Sequence, residues 1–308
     1  MGGEITKAYH IDGKKIIDAL KATKSQNKTC GLLRVSFSMV HRVLQNAVNR
    51  GLSRREQIDY EHLSLDEKSM RKGHTYVTVL LDQQSKTVID VVEGRTQEAT
   101  EKLLKENLKP EQRGKVKTVS MDFWKAYQNA VAAILPSASK CHDKFHLVKH
   151  LNEAVDNVRR KEVHHQSELK KSRYIWLKDT NNFTESQQKR FDSIKEITCK
   201  TAEAWQIKEN FRAIEFKEQD LYSAYNIFNQ WYVDAKKSSL NVVQKVADMF
   251  AKNATGIINA IRNGKSNASA ERMNGNIQLL KANARGYRCF ENFRTAILFY
   301  HGNLNLYP

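Results

Sequence analysis

Apolar side chains recur at helical spacing in the first part of the chain. Val40, Val43, Leu44, Ala47 and Val48 fall at i, i+3, i+4, i+7 and i+8, one stripe along an α-helix. Ser36 stands where an N-cap is wanted and Gly51 where a helix stops. The opposite face carries Ser38, His41, Arg42, Gln45 and Asn49, side chains that hydrogen-bond to base edges and phosphates. With Lys14–Leu20 as a preceding helix, the pattern predicts a helix-turn-helix within residues 1–60 whose second helix enters a DNA major groove. An ordinary amphipathic surface helix has the same stripe, and the basic flank Arg50, Arg54 and Arg55 favours DNA.

The period then changes from helical to alternating. Short β-branched runs occupy Leu63–Asp66, Tyr76–Asp82, Thr87–Val92 and Val116–Asp122. Asp82-Gln83-Gln84-Ser85 reads as a hairpin turn, and Gln97–Leu108, with Ala99, Leu103 and Leu104 in helical phase, as a crossover helix. A hairpin, a crossover and a further strand predict an α/β layer with a mixed sheet. Residues 123–255 are almost wholly helical in pattern. The remainder opens with the loop Asn263–Asn267 and continues as a helix.

Charge narrows the partner. The 308 residues hold 51 Lys+Arg against 34 Asp+Glu, a formal net charge of +17. Such a surplus points to a polyanion, nucleic acid first. Cys30, Cys141, Cys199 and Cys289 are scattered, which argues against a structural zinc site or a disulfide framework and suits a reducing compartment. No apolar run reaches the roughly 18 residues of a membrane span.

Three groups of residues carry candidate chemistry. Asp66 and Asp122 each close an apolar strand, where a carboxylate is rigidly held at a crevice and can offer oxygen to a hard divalent cation. Glu271, Asn274 and Gln278 fall on one polar helix face. His142, His146 and His150 share a face if that stretch is helical; with Lys144 and Arg159-Arg160-Lys161 nearby, a phosphate-facing basic helix explains them better than a zinc site. A single strand-end aspartate is commonly a solvated turn residue, so the set gains meaning only together.

Together, these runs resemble a known family. Leu65-Asp66-Glu67, Arg71-Lys72-Gly73-His74-Thr75-Tyr76-Val77-Thr78, Val92-Glu93-Gly94-Arg95, Ser120-Met121-Asp122-Phe123-Trp124-Lys125-Ala126-Tyr127, Asp143-Lys144-Phe145-His146 and Ser266-Asn267-Ala268-Ser269-Ala270-Glu271-Arg272-Met273-Asn274 are similar to the DDE transposases of the bacterial insertion-sequence ISL-three family. The resemblance implies a ribonuclease-H-like mixed-sheet α/β core, with a large all-helical insertion and an N-terminal helix-turn-helix. It divides the chain into a DNA-binding region 1–60, a first core part 61–154, a helical insertion 155–255 and a core remainder 256–308.

The same resemblance makes Asp66, Asp122 and Glu271 the catalytic carboxylates, holding two Mg²⁺ (Mn²⁺ as a substitute), with Asn274 supporting Glu271 through a hydrogen bond. Lys144, Lys281, Arg285 and Arg288 are the expected phosphate contacts. The implied function is Mg-dependent cleavage and strand transfer at insertion-sequence ends, on double-stranded element and target DNA, by a homodimer in the bacterial cytoplasm at the nucleoid. The family's usual cysteine-rich segment ahead of the helix-turn-helix is missing here. Two alternatives stay open: a non-catalytic helix-turn-helix regulator, which leaves the spaced carboxylates unused, and a nuclease of the same core fold.

Overall fold

Capped, amphipathic segments build the N-terminal helices. In the computed structural model the described residues are 12–71, 75–142, 144–196, 199–215, 219–262 and 268–308; the side chains of residues 144, 145 and 268–271 lie outside the description. The chain divides into two compact units, one of Met1–Val119, Trp124–Ala138 and Ala268–Pro308, the other of Ser120–Phe123 and Ser139–Asn267.

The first unit begins with α1 (Gly13–Thr23), α2 (Gln26–Leu33) and α3 (Phe37–Ser53). Asp12, Ser25 and Ser36 cap them by accepting from the backbone N–H of Lys14, Lys28 and Met39. The expected stripe is the buried face of α3: Val40, Leu44, Ala47 and Val48 join one core with Ile16, Ile17 and Leu20 of α1. The helix that precedes α3 is α2, not Lys14–Leu20, which belongs to α1. Thr29 is the buried residue of α2, so no apolar period announced it.

The strands β1 (His62–Arg71), β2 (Thr75–Asp82), β3 (Thr87–Glu93), β4 (Thr118–Met121) and β5 (Ser139–His142) form one sheet in the order β3-β2-β1-β4-β5. The first three are an antiparallel meander, with Glu67 opposite Thr78 and Thr78 opposite Val92. The backbone N–H groups of Lys117 and Thr118 both donate to the carbonyl of Glu61, and His62 Nδ1 meets Thr118 Oγ1 at 2.8 Å. The starts of β1 and β4 therefore lie side by side, and the two strands run parallel. A meander with the fourth strand returned beside the first is the ribonuclease-H-like arrangement, and the fold is α/β with a mixed sheet. The crossovers are α4 (Gln97–Asn107), α5 (Pro110–Arg113) and α6 (Lys125–Ile134).

Two strand expectations need correction. The strand pattern does not end at Asp66: β1 continues through the polar run Glu67-Lys68-Ser69 because the ladder to β2 continues there, pairing Lys68 with Val77 and Ser69 with Tyr76. Asp66 is thus mid-strand. Second, Ser139–His142 is a strand although only Cys141 and His142 of it are buried. Four residues without alternation give no signal, and pairing supplies what propensity does not. His142 accordingly sits on a strand, apart from the helix that carries His146 and His150.

The second unit continues with α7 (Lys144–Glu162), α8 (Arg173–Leu177), α9 (Glu185–Lys195), α10 (Lys200–Arg212), α11 (Leu221–Lys237), α12 (Asn241–Lys252) and α13 (Ala254–Arg262). Its core is aromatic, with Trp176, Phe191, Phe211, Trp231 and Phe250 packed edge-on or tilted. Lys208 is buried there and donates to the Trp176 carbonyl at 2.7 Å. The first unit closes with α14 (Ala268–Asn283) and α15 (Phe290–His301), whose Ile277, Leu280, Phe293 and Ile297 complete the core around α1 and α3. Among the described residues no helix is long and apolar enough to cross a membrane.

Candidate active site

Alternation along β1 sends Ser64, Asp66, Lys68 and Met70 to one face and Leu65 and Glu67 to the other. Asp66 is half-buried. Its Oδ1 accepts from the Glu67 backbone N–H at 2.7 Å, and its Oδ2 accepts from the side-chain amide of Asn274 and lies 3.9 Å from Lys68 Nζ. Asn274 belongs to α14, and Glu271 precedes it by one turn on the same helix, so the two positions share a face. The Glu271 side chain itself lies outside the described residues. The expected bond from Asn274 to Glu271 lies outside the described residues; the Asn274 amide holds Asp66, and in doing so ties the helix of the glutamate to the strand of the aspartate.

Asp122 is the first residue past β4, as a strand-end carboxylate should be. Asp66 stands four residues beyond His62 and Asp122 four beyond Thr118, on strands whose starts are bonded to each other.

Within the second unit, a histidine fixes the turn at Asp122. His142, 4% exposed, hydrogen-bonds the backbone of Met121 and Asp122 and packs its ring 4.5 Å from that of Phe123. Burial pulls its pKa down to about 4, so the imidazole is neutral. The ring fills a space that Gly256 of α13 leaves: a Cβ there would stand 2.5 Å from His142 Cδ2 and 2.7 Å from Nε2. Phe123 also stacks on His150 at 5.7 Å, and burial lowers the pKa of His150 as well.

A prediction follows from the sign. Gly→Ala inside a helix ordinarily gains up to about 1 kcal/mol. Gly256→Ala is expected to cost about 1–3 kcal/mol instead, because the ring has no room to yield. Urea unfolding of the two proteins measures it, and an unchanged or raised midpoint would remove the wedge from the account.

The remaining candidates scatter. Ser38, Arg42 and Asn49 are exposed on α3, while His41 and Gln45 are half-buried. His41 Nδ1 lies 3.2 Å from Gln26 Oε1, and its ring stacks on Phe37. Lys281 Nζ donates to the Ser69 carbonyl at 2.8 Å, so it also ties α14 to β1. Arg285 takes a left-handed backbone (φ 55°) after α14, and Arg288 lines a cavity of about 220 Å³ with Lys24, Asn27 and His41. The Lys144 side chain is outside the described residues. Among the described residues no three His, Cys, Asp or Glu side chains converge as a metal-ligating group.

Sequence reasoning gave no role to Glu67, Tyr76, Arg95 and Trp124, which the first unit gathers into one cluster. Arg95 Nη1 bonds Glu67 Oε2 at 2.8 Å, and its guanidinium stacks over the rings of Tyr76 and Trp124. The available signals were the acidic residue directly after Asp66 and the arginine directly after Gly94, whose φ of 89° needs a glycine at the end of β3.

Comparison with known proteins adds the following. The family model described as "Transposase", of the DDE ISL3 type, matches residues 63–297. The chain is 27% identical over 241 residues to "Transposase for insertion sequence element IS1001" of Bordetella parapertussis, covering 76% of this chain and 59% of that protein. It is 23% identical over 294 residues to "Transposase for insertion sequence element IS1557" of Mycobacterium tuberculosis, covering 86% and 65%. The chain thus spans about three-fifths of the length of the curated relatives it matches. A solved structure, "Drosophila P element transposase strand transfer complex", aligns over 94% of this chain and 91% of its own, at a TM-score of 0.49 and 11% identity.

Proposed function

Since the chain belongs to the ISL3 family of DDE transposases, we propose that it cleaves and joins DNA at the ends of an insertion sequence, with Asp66, Asp122 and Glu271 holding two Mg²⁺. The observation that carries this reading is the bond from Asn274 to Asp66, which brings the helix of Glu271 to the strand of Asp66. The donor set fits the cation: carboxylate oxygens suit a hard ion that prefers oxygen, and Mn²⁺ accepts the same ligands. When bound, such ions supply Lewis acidity and charge neutralisation at a phosphodiester.

The chain's own residues do the rest. Asn274 fixes the rotamer of Asp66, so that carboxylate needs no reorganisation when DNA arrives. His142 and Phe123 hold the backbone turn that presents Asp122. The exposed face of α3 and the basic surplus hold the duplex against the repulsion of the three carboxylates. The attacking group is water in the cutting step and the liberated 3′-hydroxyl in the joining step. Joining two ends calls for two active sites, and we assign a homodimer to that complex.

The test is an assay on duplexes carrying the element ends, with Mg²⁺ and the variants Asp66→Asn, Asp122→Asn and Glu271→Gln. Expected is end-specific cutting and strand transfer by the wild type, bound but uncut DNA with each variant. Binding without cutting by the wild type would make the chain a regulator; cutting without joining would make it a nuclease. Arg42→Ala tests the helix-turn-helix. It is expected to reduce the slope of log affinity against log salt by about one, as read by fluorescence anisotropy, whereas an unchanged slope would take Arg42 off the DNA.

A further inference from the structure

We propose that the cavity between α2, α3 and the α14–α15 link is a seat for one backbone phosphate of duplex DNA, a role that rests on the function proposed above. The cavity lies wholly within the first unit. Its volume is about 220 Å³, and Lys24, Asn27, Asn283, Arg288 and Asn292 stand around it. None of the residues that line it is acidic. Among the described residues Lys24 and Arg288 have no ion-pair partner, and the three asparagine amides have no hydrogen-bond partner. By contrast, Arg95 and Arg294 of the same unit are matched by Glu67 and Asp90. Two unneutralised cations and three amides converging on one hollow are the donor set of an anion site.

Size and walls say which anion. Sites that enclose a whole small-molecule ligand run to roughly 300–1,000 Å³, so this one takes a group projecting from a larger molecule. Its apolar part, Leu44, Leu280 and Ala296, suits the carbons of a deoxyribose beside its phosphate. The partner implied by a charge of +17 is a nucleic acid, and its anion is the phosphodiester. The wall of α3 selects the duplex. Phe37 and His41 line the cavity with their rings stacked at 5.8 Å, and the exposed Ser38 and Arg42 follow them in sequence. The face proposed to enter a major groove therefore borders the cavity, and phosphates edge that groove.

The opposite wall belongs to the catalytic helix. Leu280 and Asn283 are on α14, which also carries Glu271 and Asn274. A phosphate held in the cavity is fixed to α3 and to α14 at once, so it registers the duplex against the helix of Glu271. Of Lys281, Arg285 and Arg288, Arg288 is the one that lines the cavity, while Lys281 donates to the Ser69 carbonyl. Lys24 joins it from the far side, and the pattern along the chain gave Lys24 no role.

The experiment uses the full chain with Arg288→Gln, with Lys24→Asn, and with both. Asparagine is chosen because it tolerates the left-handed backbone of Lys24 (φ 51°). The probes are element-end duplexes in which one phosphate at a time is replaced by an uncharged methylphosphonate, and urea midpoints close to wild type show that the variants are folded. Expected is one backbone position at which the replacement weakens wild-type binding roughly 10-fold. At that position each single variant should lose less and the double variant nothing, while replacements elsewhere weaken all four proteins alike. A double variant that stays as sensitive as wild type at every position overturns the proposal. Asp66→Asn on the unsubstituted duplex separates the two ideas. If it still cuts while the single-position effect is present, the metal reading fails and the seat stands; if it is silent and the double variant keeps wild-type sensitivity, the seat fails and the metal reading stands.

Discussion

Asp66→Asn is expected to lower DNA cleavage by at least about 10³-fold while leaving DNA affinity and the unfolding midpoint close to wild type. The substitution keeps the shape of the side chain and one oxygen, and it removes the charge. Metal-assisted stabilisation of a phosphoryl transition state is worth several kcal/mol, and about 4 kcal/mol is a factor of 10³. Asn274→Ala is expected to cost less, about 10- to 100-fold, because it frees the rotamer of Asp66 without removing a ligand. The two changes should not add: once Asp66 is an amide, Asn274 has no carboxylate to orient, and the double variant should match Asp66→Asn alone. Single-turnover cleavage of end-labelled DNA gives all three rates. Additive losses would mean that Asn274 acts elsewhere, and full activity of Asp66→Asn would remove Asp66 from the chemistry.

How much of this could be read from the residues differs between elements for physical reasons. The stripe of α3 and the runs of β2 and β3 were legible because burial on one side imposes a period, and the period survives in the sequence. The continuation of β1 past Asp66 was not, since a polar strand segment is held by ladder bonds that any residue can make. Helix α2 and strand β5 were hidden for the same reason: one buried residue in eight, and two in four, carry no period.

Pattern singled out the candidate carboxylates one by one, and only the resemblance joined them into a set. Asn274 was singled out through Glu271 alone, and its bond to Asp66 was not legible, because helical spacing relates it to Glu271 and only the packing of α14 on β1 relates it to Asp66. The Tyr76–Arg95–Trp124 pile was invisible. Its members are up to 48 residues apart (124 − 76) on three elements, and no local rule joins a residue after β3 to the N-cap of a helix.

Between pH 7 and pH 5 each unit is expected to lose about 2 kcal/mol of stability from one buried histidine. His142 in the second unit and His301 at the end of α15 in the first are both held near pKa 4 by burial, and Lys140 and Lys24 push the same way. The sign is fixed by which state takes the proton first. In the unfolded chain a histidine protonates as pH falls through about 6.5, whereas the folded chain resists until about 4. Protonation in that interval therefore favours unfolding: stability is complete above about pH 6.5 and drains away down to about 4. Paired carboxylates such as Asp179, whose pKa is lowered by the Asn181 backbone N–H and Arg212, contribute only below that window. The upper part of the window belongs to the histidines. Urea unfolding at pH 7, 6 and 5 should show the decline, His142→Gln should flatten it for the tryptophan-rich second unit, and His301→Gln for the first. A decline that survives both substitutions would assign the acid sensitivity to other groups, and no decline above pH 5 would mean that water reaches both rings.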